Sequence, residues 1–99
     1  MAKFEVYKNP EGAGYLLDVQ ADLLSHLNTR LVVPLLPLSE APTPAKILNP
    51  TFEILGEKVS LVTQFMAAVP CSLMREKIGS LSACRDEITA AIDLLITGF

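Results

Sequence analysis

The sequence predicts a mainly β protein, in which short strands form a small antiparallel barrel or sheet and one C-terminal helix packs on it. Two observations carry this prediction. Short apolar segments, some alternating with polar residues and some continuous, are separated by turn clusters rich in glycine, proline and asparagine. Only the last segment has apolar residues at steps of three and four, as one face of a helix requires. With 99 residues, the chain is expected to form a single domain, residues 1–99, with a small core.

The first two strands are predicted to form a hairpin. Lys3–Tyr7 alternates polar and apolar residues, and a turn cluster separates it from a return strand at Tyr15–Gln20. Ala21–Leu24 either continues that strand or bends into a short helical turn. Because Leu23 and Leu24 are adjacent, a regular strand would point them to opposite faces, so one of them is expected to be exposed.

The third strand, Arg30–Leu36, is a nearly continuous aliphatic run, which is typical of a strand buried on both faces. Pro34 cannot donate a hydrogen bond to a neighbouring strand, so it is expected at a bulge or a sheet edge. Pro37–Pro50 contains too many prolines for a helix. We predict that it is a long surface connection with one helical turn at Ala45–Leu48.

The clearest hairpin in the sequence follows this connection. Thr51–Ile54 and Lys58–Thr63 alternate on either side of a turn around Gly56-Glu57. Gln64–Val69 adds a further strand or extends the second arm, before the proline that follows it interrupts the pattern. Leu73–Leu81 is expected to be a short bridging segment that leads into the helix.

The C-terminal helix carries its own start and stop signals, and is expected from about Ala83. Ser82 is the predicted N-cap, and two acidic residues place negative charge in the first turn. Gly98 is where the helix is expected to end in the left-handed conformation. The apolar stripe that should face the core consists of Leu81, Cys84, Ile88, Ala91, Ile92, Leu95 and Phe99. The opposite side carries Asp86, Thr89, Asp93 and Thr97.

The end of this helix is more apolar than anchoring requires. Leu94 and Ile96 lie off the centre of the stripe, whereas a chain terminus is normally frayed and polar. The surplus indicates contact with a partner protein. Phe99 fits two uses equally well, because it can close the core stripe or serve as the aromatic anchor of an interface.

Composition narrows the class of partner. An apolar fraction of 51% with 19% charged residues suggests a face covered by another subunit, and so a homodimer. A net charge of −3 without any cluster of lysine or arginine argues against direct binding to nucleic acid or anionic membrane. Cys71 and Cys84 are interpreted as reduced, buried thiols. Neither a leader nor an apolar run long enough for a membrane span is present, so we expect a cytoplasmic protein.

The residue inventory disfavours catalysis. His26 is the single histidine and has no neighbouring carboxylate or thiolate in the sequence to orient it. Asp18 and Asp22, four residues apart, are interpreted as a solvated face rather than metal ligands. Gly12 and Gly14 lack the third glycine and the helix that a phosphate loop requires. The sequence therefore predicts no catalytic residue, metal site or cofactor, and a non-enzymatic protein that works by binding.

The chain resembles the CcdB family of bacterial toxins along essentially its whole length. The similarity lies in the order and spacing of five segments: the opening strand with Phe4, Val6 and Tyr7, Asp18–Leu24, Arg30–Leu35, Met66–Pro70 and Leu81–Phe99. The resemblance implies an SH3-like antiparallel barrel with a small extra sheet and a C-terminal α-helix. It also implies assembly as a symmetric dimer.

Members of this family poison DNA gyrase and are neutralised by an antitoxin of the CcdA type. The resemblance implies that the C-terminal ends of the dimer bind the gyrase A subunit, trap the cleaved gyrase–DNA complex and block religation. Carried over by position, the gyrase-binding residues are Leu23, Leu24, Asp93, Ile96, Thr97, Gly98 and Phe99. Repression of the operon would belong to toxin and antitoxin together, with DNA contacted only through the antitoxin complex.

Two positions depart from the best-known plasmid member of the family, which has tryptophan in place of Thr97 and isoleucine in place of Phe99. The first departure motivates an alternative, a binding protein that keeps the fold and the antitoxin contact but no longer poisons gyrase. A third hypothesis, a small hydrolase that depends on His26, has the least support from the sequence.

Overall fold

The computed structural model describes residues 1–98, so the predictions made for Phe99 lie outside the described residues. Within that range the chain forms seven strands and one α-helix. The strands are β1 (Glu5–Lys8), β2 (Tyr15–Asp18), β3 (Thr29–Pro37), β4 (Thr51–Ile54), β5 (Glu57–Leu61), β6 (Ala67–Pro70) and β7 (Lys77–Ser80), and the helix is α1 (Arg85–Thr97). Single 3₁₀ turns occur at Asp22–Leu24, Thr63–Phe65, Cys71–Leu73 and Ser82–Cys84.

All strand pairs are antiparallel, and the strands follow the order β4-β5-β3-β2-β1-β7, with β6 branching off β3. The sheet curls into a half-barrel, and α1 packs on its inner face. This arrangement confirms the predicted fold class, a mainly β, SH3-like barrel with a C-terminal helix. No helix among residues 1–98 has both the length and the apolar content needed to cross a lipid bilayer.

The nine-residue strand β3 is the centre of the sheet, because it pairs with three others. One edge of β3 pairs with β2 along its central part. The opposite edge pairs first with β6 and then, further along the strand, with β5. Pro34 lies where that edge changes partner: β6 ends opposite Val32 and β5 begins opposite Leu35. The missing N–H of proline therefore breaks no ladder. The prediction of a bulge or an edge strand for Pro34 was wrong, because an interior strand can hold proline at a gap between two partners.

Both faces of the sheet are covered. The larger cluster includes Leu17, Val33 and Val59 from the strands together with Ile88 and Ala91 from the helix, each 0% exposed. The opposite face carries a smaller cluster, Tyr7, Leu16, Val32 and Met74. Side chains alternate between faces along a strand, so β2 and β3 have no wet face, in agreement with the continuous apolar pattern of β3.

The predicted turns occur with small shifts. In the β4–β5 hairpin the turn residues are Leu55 and Gly56, both with positive φ (51° and 81°), as a two-residue hairpin loop of type I′ requires. Glu57, predicted as part of the turn, is the first residue of β5. Gly14 also has a positive φ, and a Cβ atom there would collide with the backbone of Leu35 on the adjacent strand. Only glycine fits at that position.

The helix starts later than predicted and ends where expected. Residues Ser82–Cys84 form a 3₁₀ turn, and α1 begins at Arg85 without any side-chain cap. The prediction of Ser82 as N-cap was therefore wrong. At the other end Gly98 has φ 81°, and its N–H donates to the Leu94 carbonyl over 3.1 Å. This left-handed C-cap confirms the predicted stop.

Strand β7 was not predicted, since the sequence suggested only a bridging segment. It is a short edge strand that pairs with β1, and a bulge separates Val6 from Tyr7 in that ladder. A polar cluster ties the two strands together. Glu5 lies 2.6 Å from the Lys77 ammonium, and its other carboxylate oxygen accepts hydrogen bonds from the Ala2 N–H and the Tyr7 hydroxyl.

This cluster makes stability depend on acid pH. The Lys77 ammonium, followed by the Ala2 and Tyr7 donors, lowers the pKa of Glu5 from 4.5 to about 2 against the opposing effect of burial. A carboxyl whose pKa is lowered on folding stabilises the folded state at pH values above its pKa in the unfolded chain. This contribution is lost as pH falls from 4.5 through about 2. Burial and the Glu5 hydrogen bond raise the pKa of Tyr7 to about 12, so its hydroxyl remains a donor at neutral pH.

We expect Glu5→Gln to lower the free energy of unfolding by about 1 kcal/mol at pH 7, a small value because Lys77 is largely solvated. The difference from the parent should shrink as pH falls from 4.5 towards 2, because Glu5 becomes protonated first in the unfolded state and then in the folded state. Urea unfolding across this pH range measures the effect. Glu11→Gln, at an exposed acidic residue of the first turn, is the control, and a deficit that persists unchanged at low pH would contradict the assignment.

Candidate protein-binding site

The end of α1 is an exposed apolar tip, which we define as residues Asp93 to Gly98. Ile96 is 69% exposed and Leu95 is 40% exposed. The predicted core stripe therefore holds as far as Ile92 and is wrong at Leu95, which is exposed although Ile88 and Ala91 on the same helix are fully buried. Leu94, predicted to lie off the stripe, is half-buried instead.

The predicted site residues of this helix lie together at the tip. Asp93, Ile96, Thr97 and Gly98 are all exposed. The Thr97 hydroxyl donates to the backbone carbonyl of Asp93 over 2.6 Å, so its hydrogen-bonding capacity is directed to its own helix. Phe99, the remaining predicted contact, lies outside the described residues.

The tip has a negative electrostatic character. The last turn of α1 contains no basic residue, so the partial negative charge of the helix C-terminus is not compensated within that turn. Asp93 adds a formal negative charge one turn earlier. An apolar tip with this charge pattern suits a partner surface that combines an apolar contact with a basic group.

Leu23 and Leu24 lie in a second exposed apolar patch, at the 3₁₀ turn after β2. Leu23 is 88% exposed and Leu24 is 43% exposed. The alternative of a short helical turn for these residues is confirmed, and both leucines, rather than one, have substantial exposure. The turn also receives a hydrogen bond from outside, because the Lys3 N–H donates to the Asp22 carboxylate over 2.8 Å.

The two patches lie on different elements of the subunit, one at the end of α1 and the other on the 3₁₀ turn after β2. The elements packed most closely on α1 are the Thr63–Phe65 and Ser82–Cys84 turns, and the Asp22–Leu24 turn is not among them. Both patches are nevertheless displayed by rigid elements, one by a helix and the other by a turn fixed to the sheet. A single partner that contacts both must span part of the subunit surface or a subunit boundary.

Sequence reasoning missed a buried ion pair below the second patch. The Arg30 Nε donates to Asp18 Oδ2 over 2.8 Å, and Nη2 lies 2.7 Å from the same oxygen. The two side chains are 1% and 0% exposed. The interpretation of Asp18 as part of a solvated face was therefore wrong. The sequence does contain a signal for this pair. Asp18 and Arg30 have opposite charges, each lies in an otherwise apolar strand, and the two strands pair with each other.

The electrostatics of this pair are dominated by burial. Desolvation raises the pKa of the Asp18 carboxyl above its ordinary value, while the hydrogen bond from the Gln20 N–H and the Arg30 guanidinium act in the opposite direction. Nη2 of Arg30 makes the ion pair but is not aligned for a hydrogen bond with any group among the described residues. The pair is out of reach of solvent, so its role is structural support.

Other residues considered as functional do not form a site. His26 is exposed on the loop after the second patch. Cys71 and Cys84 are free, in agreement with the predicted thiols, but both are only half-buried, so the prediction that they are buried was wrong. Among residues 1–98 no group of three or more histidine, cysteine, aspartate or glutamate side chains has a geometry that could hold a metal ion.

Two clefts of moderate size lie away from the predicted site residues. One, of about 170 Å³, lies between the edge strands β4 and β7 and includes a single carboxylate, that of Glu53. Another, of about 320 Å³, lies between the proline-rich connection and α1 and is lined by Ile47, Pro50, Glu87 and Ala90. Each contains one acidic residue without a basic or nucleophilic neighbour in its lining, except for Ser80 in the first.

Comparison with known proteins gives both a family and a fold. The family model described as "CcdB protein" matches residues 3–98. A solved structure titled "Endoribonuclease from Mycobacterial species" superposes with a TM-score of 0.74 at 14% identity, covering 94% of this chain and 88% of that one. A second, "Endoribonuclease in complex with its cognate antitoxin from Mycobacterial species", gives 0.74 at 15% identity, with 94% and 91% covered. At such identities the two structures show a shared fold.

Proposed function

The chain belongs to the CcdB protein family, and from this premise we propose that it is the toxin of a type II toxin–antitoxin system. In this proposal it binds the DNA gyrase A subunit, traps the gyrase–DNA cleavage complex and blocks religation. An antitoxin of the CcdA type neutralises it, and the two proteins together repress their operon. The protein acts in the cytoplasm, where gyrase is found, and touches DNA only through these partners.

The observation that carries the proposal is the exposed tip of α1. Ile96 is 69% exposed although it lies at the end of a helix whose other face is fully buried at Ile88 and Ala91. A large exposed apolar side chain on a rigid support has the character of an interface anchor, because little conformational entropy is lost when it is buried by a partner. The left-handed cap at Gly98 ends the helix at this point and leaves the tip accessible.

A homodimer completes the proposed mechanism. In a symmetric dimer each patch occurs twice, which suits a target that itself has two-fold symmetry, such as a pair of gyrase A subunits. Dimerisation also provides a way for the tip of one subunit and the Leu23 patch of another to face the same partner. A toxin of this kind acts by binding one state of a cycling enzyme more tightly than the others, and so shifts its population.

The superposed structures are titled endoribonucleases, whereas in our proposal this chain acts by binding. The close pairs of opposite charge in the described residues are Asp18–Arg30 and Glu5–Lys77. The first is sealed from solvent, and the second is used in joining β7 to β1. Both pairs therefore have structural roles, and the proposal assigns neither of them to catalysis.

A growth experiment tests the proposal directly. Expression of the intact chain should stop growth in cells with wild-type gyrase, and should have no such effect in cells with a toxin-resistant gyrase A subunit. The purified protein should also trap cleaved DNA in the presence of gyrase. Growth arrest in both strains, accompanied by RNA cleavage, would instead indicate an endoribonuclease and contradict the proposal.

The alternative is a binding protein that keeps the antitoxin contact without poisoning gyrase. It is favoured by Thr97, whose hydroxyl is bonded to the Asp93 carbonyl and which offers no aromatic ring for stacking on gyrase. Under this alternative the chain would capture a CcdA-type antitoxin in a pull-down but would neither bind gyrase A nor slow growth. The same pair of assays therefore distinguishes the two functions.

A further inference from the structure

We infer that Gln20 is a positioning residue, which fixes the Asp22–Leu24 turn so that Leu23 is presented to the target. The inference deepens the proposed function, on which it rests, by naming what holds the second patch in place. Gln20 lies two residues after the end of β2 and is only 8% exposed. A buried amide side chain is retained where each of its polar groups has a partner, and the partners of Gln20 define its role.

The side chain of Gln20 links the turn to the sheet. Its Nε2 donates to the backbone carbonyl of Leu24 over 3.0 Å, and its Oε1 accepts the N–H of Leu31 on β3 over 3.0 Å. One amide group therefore bridges the exposed turn and the central strand. The same Leu24 carbonyl also accepts the N–H of Leu27 over 3.1 Å, so the anchor extends to the residues that follow the turn.

The backbone of Gln20 is itself fixed from below. Its N–H donates to Asp18 Oδ1 over 3.0 Å, and the other oxygen of that carboxylate is held by Arg30. The buried Asp18–Arg30 ion pair therefore helps to hold an exposed turn, although the pair itself is not exposed. It supports a chain of contacts that runs from β3 through Asp18 and Gln20 to the Leu24 carbonyl.

The consequence is a preorganised exposed leucine. The turn is held on the inner side by Gln20 and on the outer side by the Lys3 N–H on Asp22, yet Leu23 between these anchors is 88% exposed. A loop that is already ordered loses less conformational entropy on binding than a mobile one. Releasing the Leu24 carbonyl should therefore weaken target binding without removing any contact to the target.

Two substitutions test the role of Gln20. Gln20→Glu keeps an oxygen for the Leu31 N–H but removes the donor to the Leu24 carbonyl. Gln20→Met keeps the length of the side chain, removes both side-chain hydrogen bonds and introduces no charge. It therefore tests the same role if the glutamate variant does not fold. We expect both variants to bind purified gyrase A about five- to tenfold more weakly than the parent, and the Leu27 amide to exchange its hydrogen faster.

The chain offers a closely matched control in Asn49, another buried amide. Its Nδ2 donates to the Leu61 carbonyl and its Oδ1 accepts the Ala45 N–H, each over 3.0 Å, but it anchors the proline-rich connection rather than the Leu23 turn. Asn49→Asp should lower the melting temperature as Gln20→Glu does and leave gyrase affinity unchanged. A purely structural role for Gln20 predicts that the two variants behave alike.

Three outcomes decide the matter. Weaker binding in the Gln20 variants alone, with faster exchange at Leu27, supports positioning. Binding within twofold of the parent, or equal weakening by Asn49→Asp, overturns it. If the parent does not bind gyrase A, the proposed function fails instead, and the exchange rates still decide whether Gln20 holds the turn, since unchanged rates would refute it.

Discussion

Replacing Arg30 by methionine is expected to lower the free energy of unfolding by about 3 to 5 kcal/mol, because it leaves a buried carboxylate without its cation. Asp18 is 0% exposed, and its Oδ2 contacts both Nε and Nη2 of Arg30. Methionine fills much of the space of the aliphatic part of arginine, so the loss should be mainly electrostatic. A domain of this size has a total stability of about 5 to 15 kcal/mol, so the substitution should remove a large part of it.

The double variant Asp18→Asn with Arg30→Met provides the control. Asparagine removes the buried charge and retains an oxygen for the Gln20 N–H, which Asp18 Oδ1 accepts in the parent. We expect the double variant to be about 1 to 3 kcal/mol more stable than Arg30→Met alone. A double variant that is less stable than the single one would mean that packing, rather than the uncompensated charge, causes the loss.

The pH dependence gives an independent check on the charge. Burial already raises the pKa of Asp18 above 3.8 with Arg30 present, and removing the cation must raise it further. A carboxyl whose folded pKa is raised costs stability while it is ionised, and this cost disappears as pH falls through the folded pKa towards the unfolded value. The deficit of Arg30→Met, measured by urea unfolding against the parent, should therefore shrink at acid pH.

The strands that the sequence predicted correctly are those with a local pattern. The β4–β5 hairpin has alternating residues around a glycine, and β3 is a continuous aliphatic run, so each can be recognised without its partner. Strand β7 (KIGS) has one large apolar residue and a glycine, and it forms because β1 supplies a pairing edge. Such a strand depends on long-range pairing, which no local pattern records.

The wrong prediction for Asp18 has the same cause, because its burial depends on long-range contacts rather than on a local pattern. Asp18 was interpreted as part of a solvated face because it lies four residues from Asp22, but it is the last residue of β2 and is 0% exposed. Its partner Arg30 lies on a different strand and is brought close only by the β2–β3 register. The exposure of Ile96, in contrast, could be predicted, because helical periodicity places it off the buried stripe.

Replacing Ile96 by glutamine is expected to reduce gyrase A affinity about 30-fold and to abolish growth arrest, because the loss of a hot-spot side chain costs about 2 kcal/mol or more. Glutamine is a good helix former and Ile96 is 69% exposed, so stability should change by less than about 0.5 kcal/mol. The variant thus separates binding from folding. Affinity for purified gyrase A and the urea midpoint are the two measurements.

Leu55→Gln is the matched control for this substitution. Leu55 is 78% exposed on the β4–β5 turn, so it tests whether the loss of any exposed aliphatic side chain weakens binding. Leu23→Gln, at the second patch, should also reduce affinity, because Leu23 is 88% exposed and is proposed to contact the same partner. If Ile96→Gln and Leu55→Gln are equally harmless, the tip of α1 is not the gyrase contact, and the binding surface must be sought on another face of the barrel.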